Sequence, residues 1–170
     1  MIKAERAVRR EATTAAASPA DAIAILLVDD DSDCRLLVRD AIADSRVRNR
    51  VYEVATAEQA WQFLHREPPY ASVPRPGLIF LDVEMPGMGG LALLRRIKAD
   101  PALRDITVVM MTGVCEEEQM REAARAGANS YTIKPANAEQ FLKTVLQSTN
   151  YWLTVHQYPD HHVPQEHCRR

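Results

Sequence analysis

Six side chains stand out as chemically capable: Asp29, Asp30, Asp31, Asp82, Thr112 and Lys134. Each closes or follows a short apolar run. The Asp triplet follows Ile23–Val28, Asp82 follows Leu78–Leu81, Thr112 ends Thr107–Met111, and Lys134 follows Ser130–Ile133. In an open parallel sheet, ligands bind outside the carboxyl ends of the strands, so all six belong to one rim. Carboxylates crowded there repel one another and raise one another's pKa unless a cation offsets them. Oxygen donors without His or thiolate select a hard cation, and Mg²⁺ is the expected one. A carboxylate next to such a cation can act as a nucleophile toward phosphorus. Lys134 would neutralise charge on the phosphoryl oxygens, and the Thr112 hydroxyl would hydrogen-bond one of them. Taken singly, each residue has a plainer explanation. Asp29–Asp31 could cap a helix, Asp82 could serve the turn before Pro86-Gly87, and Lys134 could be a surface lysine.

The elements needed to position these residues are legible as a regular alternation. Ile23–Val28 is an unbroken apolar run, as expected of a strand buried on both faces. Cys34, Leu37, Val38, Ala41 and Ile42 then fall at helical spacing. Arg50–Ala55 reads as a shorter strand with Val51 and Val54 inward. Thr56-Ala-Glu-Gln59 has the form of a capping box and opens a helix with Ala57, Ala60, Trp61 and Leu64 on one face. Pro68, Pro69, Pro74 and Pro76 make the next stretch a loop. Leu78–Leu81 is the third strand, and Pro86, Gly87, Gly89 and Gly90 form the turn that follows it. Leu91, Leu94 and Ile97 mark a helix ending near Asp100-Pro101. Thr107–Thr112 is the fourth strand. Glu116–Glu118 starts a helix that Ala126-Gly127 closes. Ser130–Ile133 is the fifth strand, and Ala138, Phe141, Leu142, Val145, Leu146 and Thr149 mark a last helix reaching Trp152 or Leu153. Five strand–helix repeats predict an α/β fold, a flavodoxin-like (βα)5 doubly wound five-stranded parallel sheet in the order 2-1-3-4-5.

Composition narrows the function classes. The 170 residues suit one domain with flanking segments, which we expect at 1–21 (leader), 22–155 (domain) and 156–170 (tail). Lys and Arg total 21 against 23 Asp and Glu, a formal charge of −2 that argues against a bulk nucleic-acid binder. No apolar run approaches the ~20 residues of a membrane helix, and nothing near Met1 has the form of a secretory signal. Cys34, Cys115 and Cys168 are scattered and odd in number, as expected of a reducing compartment, so the chain is expected to be cytoplasmic. His156, His161, His162 and His167 match no compact zinc spacing.

Between Ile23 and Leu153 the sequence resembles the response-regulator receiver domains of two-component systems. The resemblance is carried by Val28-Asp-Asp-Asp31, Leu81-Asp82-Val-Glu-Met-Pro86-Gly-Met-Gly-Gly90, Met111-Thr112-Gly113 and Ala126-Gly127-Ala-Asn-Ser-Tyr131-Thr-Ile-Lys134-Pro135. Pro74-Arg-Pro76, Asp100-Pro-Ala-Leu-Arg-Asp105 and Tyr151-Trp152-Leu153 are similar to the stand-alone regulators that partner bacteriophytochrome-type kinases. The resemblance implies a signalling protein rather than an enzyme, with Asp82 as phosphoacceptor from a histidine kinase. It implies that Asp29, Asp30, Asp82 and the backbone carbonyl of Glu84 hold Mg²⁺, that Thr112 and Lys134 bind the phosphoryl group, and that Thr112 and Tyr131 form the switch. It also implies a cis Lys134–Pro135 peptide. Glu84 is acidic where many members are neutral, and Ala136 stands where an aromatic is frequent. No output domain follows, so the expected mode of action is docking on a kinase, on a downstream phosphotransfer protein or on a second copy. Tyr151 and Trp152 are expected to contribute to a homodimer. Two other readings compete: a phosphatase of the haloacid dehalogenase type, which would use Asp29-x-Asp31 but lacks a cap insertion, and a receiver-like adaptor that needs no phosphorylation.

Overall fold

The computed structural model describes residues 23–44, 49–114 and 116–152. The expected leader (1–21) and tail (156–170), with Cys115 and Cys168, lie outside the described residues. The chain alternates β1 (Ala24–Val28), α1 (Ser32–Asp44), β2 (Arg50–Val54), α2 (Ala57–Leu64), β3 (Leu78–Asp82), α3 (Gly90–Ala99), β4 (Thr107–Thr112), α4 (Glu117–Arg125), β5 (Ser130–Ile133) and α5 (Ala138–Asn150). All strand pairs are parallel, and the sheet order is β2-β1-β3-β4-β5, as expected.

The apolar runs are unbroken because the central strands are covered on both sides. Every residue of β1, β3 and β4 is buried. Alternate side chains feed two cores. Leu26, Val28, Ile79, Leu81, Val108 and Met110 join Phe63, Leu94 and Ile97 from α2 and α3. Ile25, Leu27, Leu78, Phe80, Val109 and Met111 join Val38 and Ile42 from α1 and Phe141 and Val145 from α5. The edge strands β2 and β5 are only partly covered.

Helix ends follow local chemistry. Thr56 Oγ1 accepts the Gln59 N–H at 3.1 Å, while Gln59 Oε1 returns to the Ala55 N–H at 2.9 Å, one residue ahead of the cap. Gly127, at φ 92°, ends α4 as expected.

Several details differ from expectation. Trp61 is half-buried and Phe63 takes the inner position on α2. Trp61 instead lies under the Arg96 guanidinium, 4.0 Å from its ring centroid, where an amphipathic ring gains a cationic partner. Leu93 is fully buried on α3, and Leu91 only partly. α5 runs to Asn150 and continues as a wider helical turn through Tyr151 and Trp152, as expected. Trp152 packs into the second core, and Tyr151, 53% exposed, stands beside it at the helix end. The one cis peptide among the described residues is Pro68–Pro69. Lys134–Pro135 is therefore trans, the lower-energy form for an X-Pro bond.

Candidate functional site: an acidic rim with a bridging lysine

β1 and β3 are neighbours although β2 lies between them in sequence, so their C-terminal ends form the topological switch point. Val28 pairs with Leu81, which places Asp29 and Asp82 side by side at the strand ends. β4 brings Thr112 one strand further. The Lys134 N–H donates to the Thr112 carbonyl at 2.6 Å, and this fixes the start of the segment that carries the lysine. The helix after β3 must begin hard against the strand. A Cβ at Gly90 would sit 1.8 Å from the Asp82 carbonyl oxygen, a contact that only glycine avoids.

The Asp triplet divides its labour. Asp31 is the α1 cap, its Oδ1 accepting the N–H groups of Asp33 at 2.9 Å and Cys34 at 3.3 Å. Asp29 and Asp30 form a group with Asp82 in which one oxygen from each lies within 4.8 Å of the others. Asp29 is fully buried, Asp82 is 4% exposed, and Asp30 faces solvent. Lys134 Nζ bridges Asp29 Oδ2 at 2.6 Å and Asp82 Oδ1 at 2.9 Å. The helix-cap reading thus holds for one residue of the triplet, and the surface-lysine reading fails.

The electrostatics follow from burial and this bridge. Burial pushes the Asp82 carboxyl above its ordinary value. The Lys134 hydrogen bond and charge pull it down, and the charges of Asp29 and Asp30 push it up again. Burial alone would lower the Lys134 ammonium, but its bonds to Asp29 and Asp82 outweigh that and hold it above its ordinary value. Three carboxylates against one ammonium leave a formal charge of −2, the deficit a hard divalent cation fills. The donor set therefore fits Mg²⁺.

Thr112 is fully buried, and its Oγ1 accepts the Val114 N–H at 3.2 Å. Glu84 is exposed, with its carboxylate leaning over the rim to within 3.6 Å of where a Cβ on Gly113 would stand. Tyr131 is half-buried against the first core, on the strand beside β4 and paired with Met110.

Two neighbours of the site escaped the sequence reading. Arg35 Nη1 donates to the Asp29 carbonyl at 2.6 Å. The Cys34 thiol, pushed up to about 12 by burial and then by its hydrogen bond to Asp29, packs beneath that carboxylate as an inert neighbour. Their one sequence signal was position, in the first turn of the helix that the Asp triplet opens.

A doubly wound parallel sheet with an acidic rim at its switch point defines the class of fold and site. The chain belongs to the response regulator receiver domain family, whose model matches residues 25–146. It is 32% identical over 128 residues to the response regulator Rcp1 of Synechocystis sp., covering 69% of this chain and 87% of that protein. Among solved structures it is similar to the phosphorylated cyanobacterial phytochrome response regulator RcpA, with TM-score 0.78, 32% identity, 81% of this chain and 99% of that one. It is similar also to the Mn²⁺-bound form of Rcp1, with TM-score 0.77, 29% identity and the same coverage.

Proposed function

We propose that this receiver accepts a phosphoryl group from a histidine kinase onto Asp82, in a Mg²⁺-dependent reaction, and signals by docking to partners. The observation that supports it most is the Lys134 bridge to Asp29 and Asp82 inside a cluster of three carboxylates. Asp29, Asp30, Asp82 and the Glu84 backbone carbonyl would hold Mg²⁺. When bound, it supplies charge neutralisation and polarises the phosphoryl oxygens. An Asp82 oxygen attacks phosphorus; the new O–P bond forms as the P–N bond of the phosphohistidine breaks, and the imidazole leaves with the electron pair. Lys134, already 2.9 Å from Asp82, is within reach of a phosphoryl oxygen attached there. The Thr112 hydroxyl, whose oxygen accepts the Val114 N–H, turns its own hydrogen to donate to a second such oxygen. That new bond pulls on the turn after β4 and biases Tyr131, so that the faces around β4, β5 and α5 present a second arrangement to a partner.

The kinase is proposed to be of the phytochrome type, on the likeness to RcpA and Rcp1. The receiver unit is read as residues 22–155, acting in the cytoplasm, with a downstream phosphotransfer protein or a second copy as further docking partners. Label transfer from a phosphorylated kinase or acetyl phosphate tests the reading. Wild type is expected to label with Mg²⁺ and not in excess chelator, and Asp82→Asn not at all; equal labelling of the variant would end it.

A further inference from the structure

Glu58, exposed in the first turn of α2, lies outside the acidic cluster and has no part in the chemistry above. Its Oε1 accepts the Met88 N–H at 3.1 Å, reaching across to the turn between β3 and α3. That turn starts at Asp82 and carries Glu84. Its ends are pinned by backbone bonds, Val83 N–H to Met111 O at 2.8 Å and Gly90 N–H to Val83 O at 3.2 Å. Its middle is held by Met85, buried in the first core, and by Met88, which packs against that core and takes Arg96 Nη1 on its Sδ at 3.7 Å, but the backbone between them is permissive. Gly87 and Gly89 both adopt positive φ, at 78° and 70°, a permissive backbone. Gly89 is also the α3 cap, and no side chain caps that helix. The Glu58 carboxylate is anchored in turn. The Thr56 cap and the Gln59 return bond fix the start of α2, and the Arg96 stack on Trp61 ties α2 to α3. The Glu58 carboxyl is held below its ordinary value by its own backbone N–H and then that of Met88, as expected of an ionised acceptor.

We propose that Glu58 is a positioning residue for the divalent-cation site, holding the β3–α3 turn through the Met88 N–H in place of the constraint that a capping side chain at position 89 would supply. The inference rests on the reading that Asp29, Asp30, Asp82 and the Glu84 carbonyl hold Mg²⁺. Supporting groups of this kind set the aim of the groups that touch a metal, and their loss typically costs about tenfold or more in affinity.

The test compares wild type, Glu58→Ala and Glu58→Gln by Mg²⁺ calorimetry and by hydrogen exchange of the Met88 amide in chelator. Glu58→Ala is expected to weaken Mg²⁺ binding about tenfold and to speed Met88 exchange without metal, while Glu58→Gln, which keeps Oε1 as an acceptor, restores most of both. Wild-type Mg²⁺ affinity in Glu58→Ala, unchanged Met88 exchange, or a Gln variant as weak as Ala would each overturn it alone. A wild type that binds no Mg²⁺ would overturn the proposed function and this inference with it.

Discussion

Ionised Asp82 is held 2.9 Å from Lys134, yet burial and the charges of Asp29 and Asp30 still leave its carboxyl above the ordinary value. The native state therefore binds the Asp82 proton more tightly than the unfolded chain does, and ionising the residue costs stability. In chelator, Asp82→Asn is expected to raise the thermal midpoint. The advantage is absent below the ordinary aspartate value of about 3.9, grows as pH rises from there toward the native value of Asp82, and is constant above it. A midpoint lowered by the substitution at pH 7 would contradict this. Lys134 has the opposite sign. Its raised value means a stabilising contribution that is fully present at neutral pH and lost only in strong alkali, as pH climbs through the native value. Replacing Lys134 with Met leaves Asp29 and Asp82 buried without their cation. Urea unfolding at pH 7 is expected to show a loss of about 3 kcal/mol, and Mg²⁺ is expected to recover part of it.

At the scale of elements, the rim depends on how strand ends meet helix starts. α3 begins against the Asp82 carbonyl, so Gly90→Ala forces strand and helix apart and is expected to cost about 3 kcal/mol in chemical denaturation, with Mg²⁺ binding weakened as well. The α2 cap is a smaller device. Thr56→Ala removes the acceptor for the Gln59 N–H and is expected to cost about 1 kcal/mol by the same measurement. The cap was visible in sequence as Thr56-x-x-Gln59 because both partners lie within one turn. The inner face of α2 was not, because Trp61 and Phe63 are both large and apolar. In the fold Phe63 turns inward against Tyr52 and Tyr70, and Trp61 turns toward Arg96 on the neighbouring helix.

At the scale of the molecule, a cation bound by the folded chain and not by the unfolded one stabilises by mass action. Mg²⁺ at a hundred times its dissociation constant is expected to add about 2.7 kcal/mol to unfolding free energy. Chelation should abolish the gain, and a calorimetric scan with and without chelator checks it. The burial of Trp152 in the second core makes a separate forecast about assembly. Trp152→Ala is expected to cost about 3 kcal/mol in stability, whereas Tyr151→Ala, on the exposed side of the turn, is expected to be neutral in stability. Sedimentation of the Tyr151 variant with and without beryllofluoride then reads any self-association directly.

The local pattern of the chain was sufficient for the five strand–helix repeats, their parallel order and the placement of Asp29, Asp82, Thr112 and Lys134 at strand ends, because these follow from runs of apolar residues and from the handedness of crossover connections. Short-range chemistry also identified the turn glycines and two helix ends. The tertiary structure alone decided which member of Asp29-Asp30-Asp31 caps a helix and which two face Asp82. It alone showed that Arg35 and Cys34 lie against Asp29, that Glu58 reaches Met88, and that Trp152 turns inward. These contacts join residues whose spacing carries no period. They arise from the angle at which a helix meets a sheet and from which of several similar side chains fills a given volume, and neither is written in any single stretch of sequence.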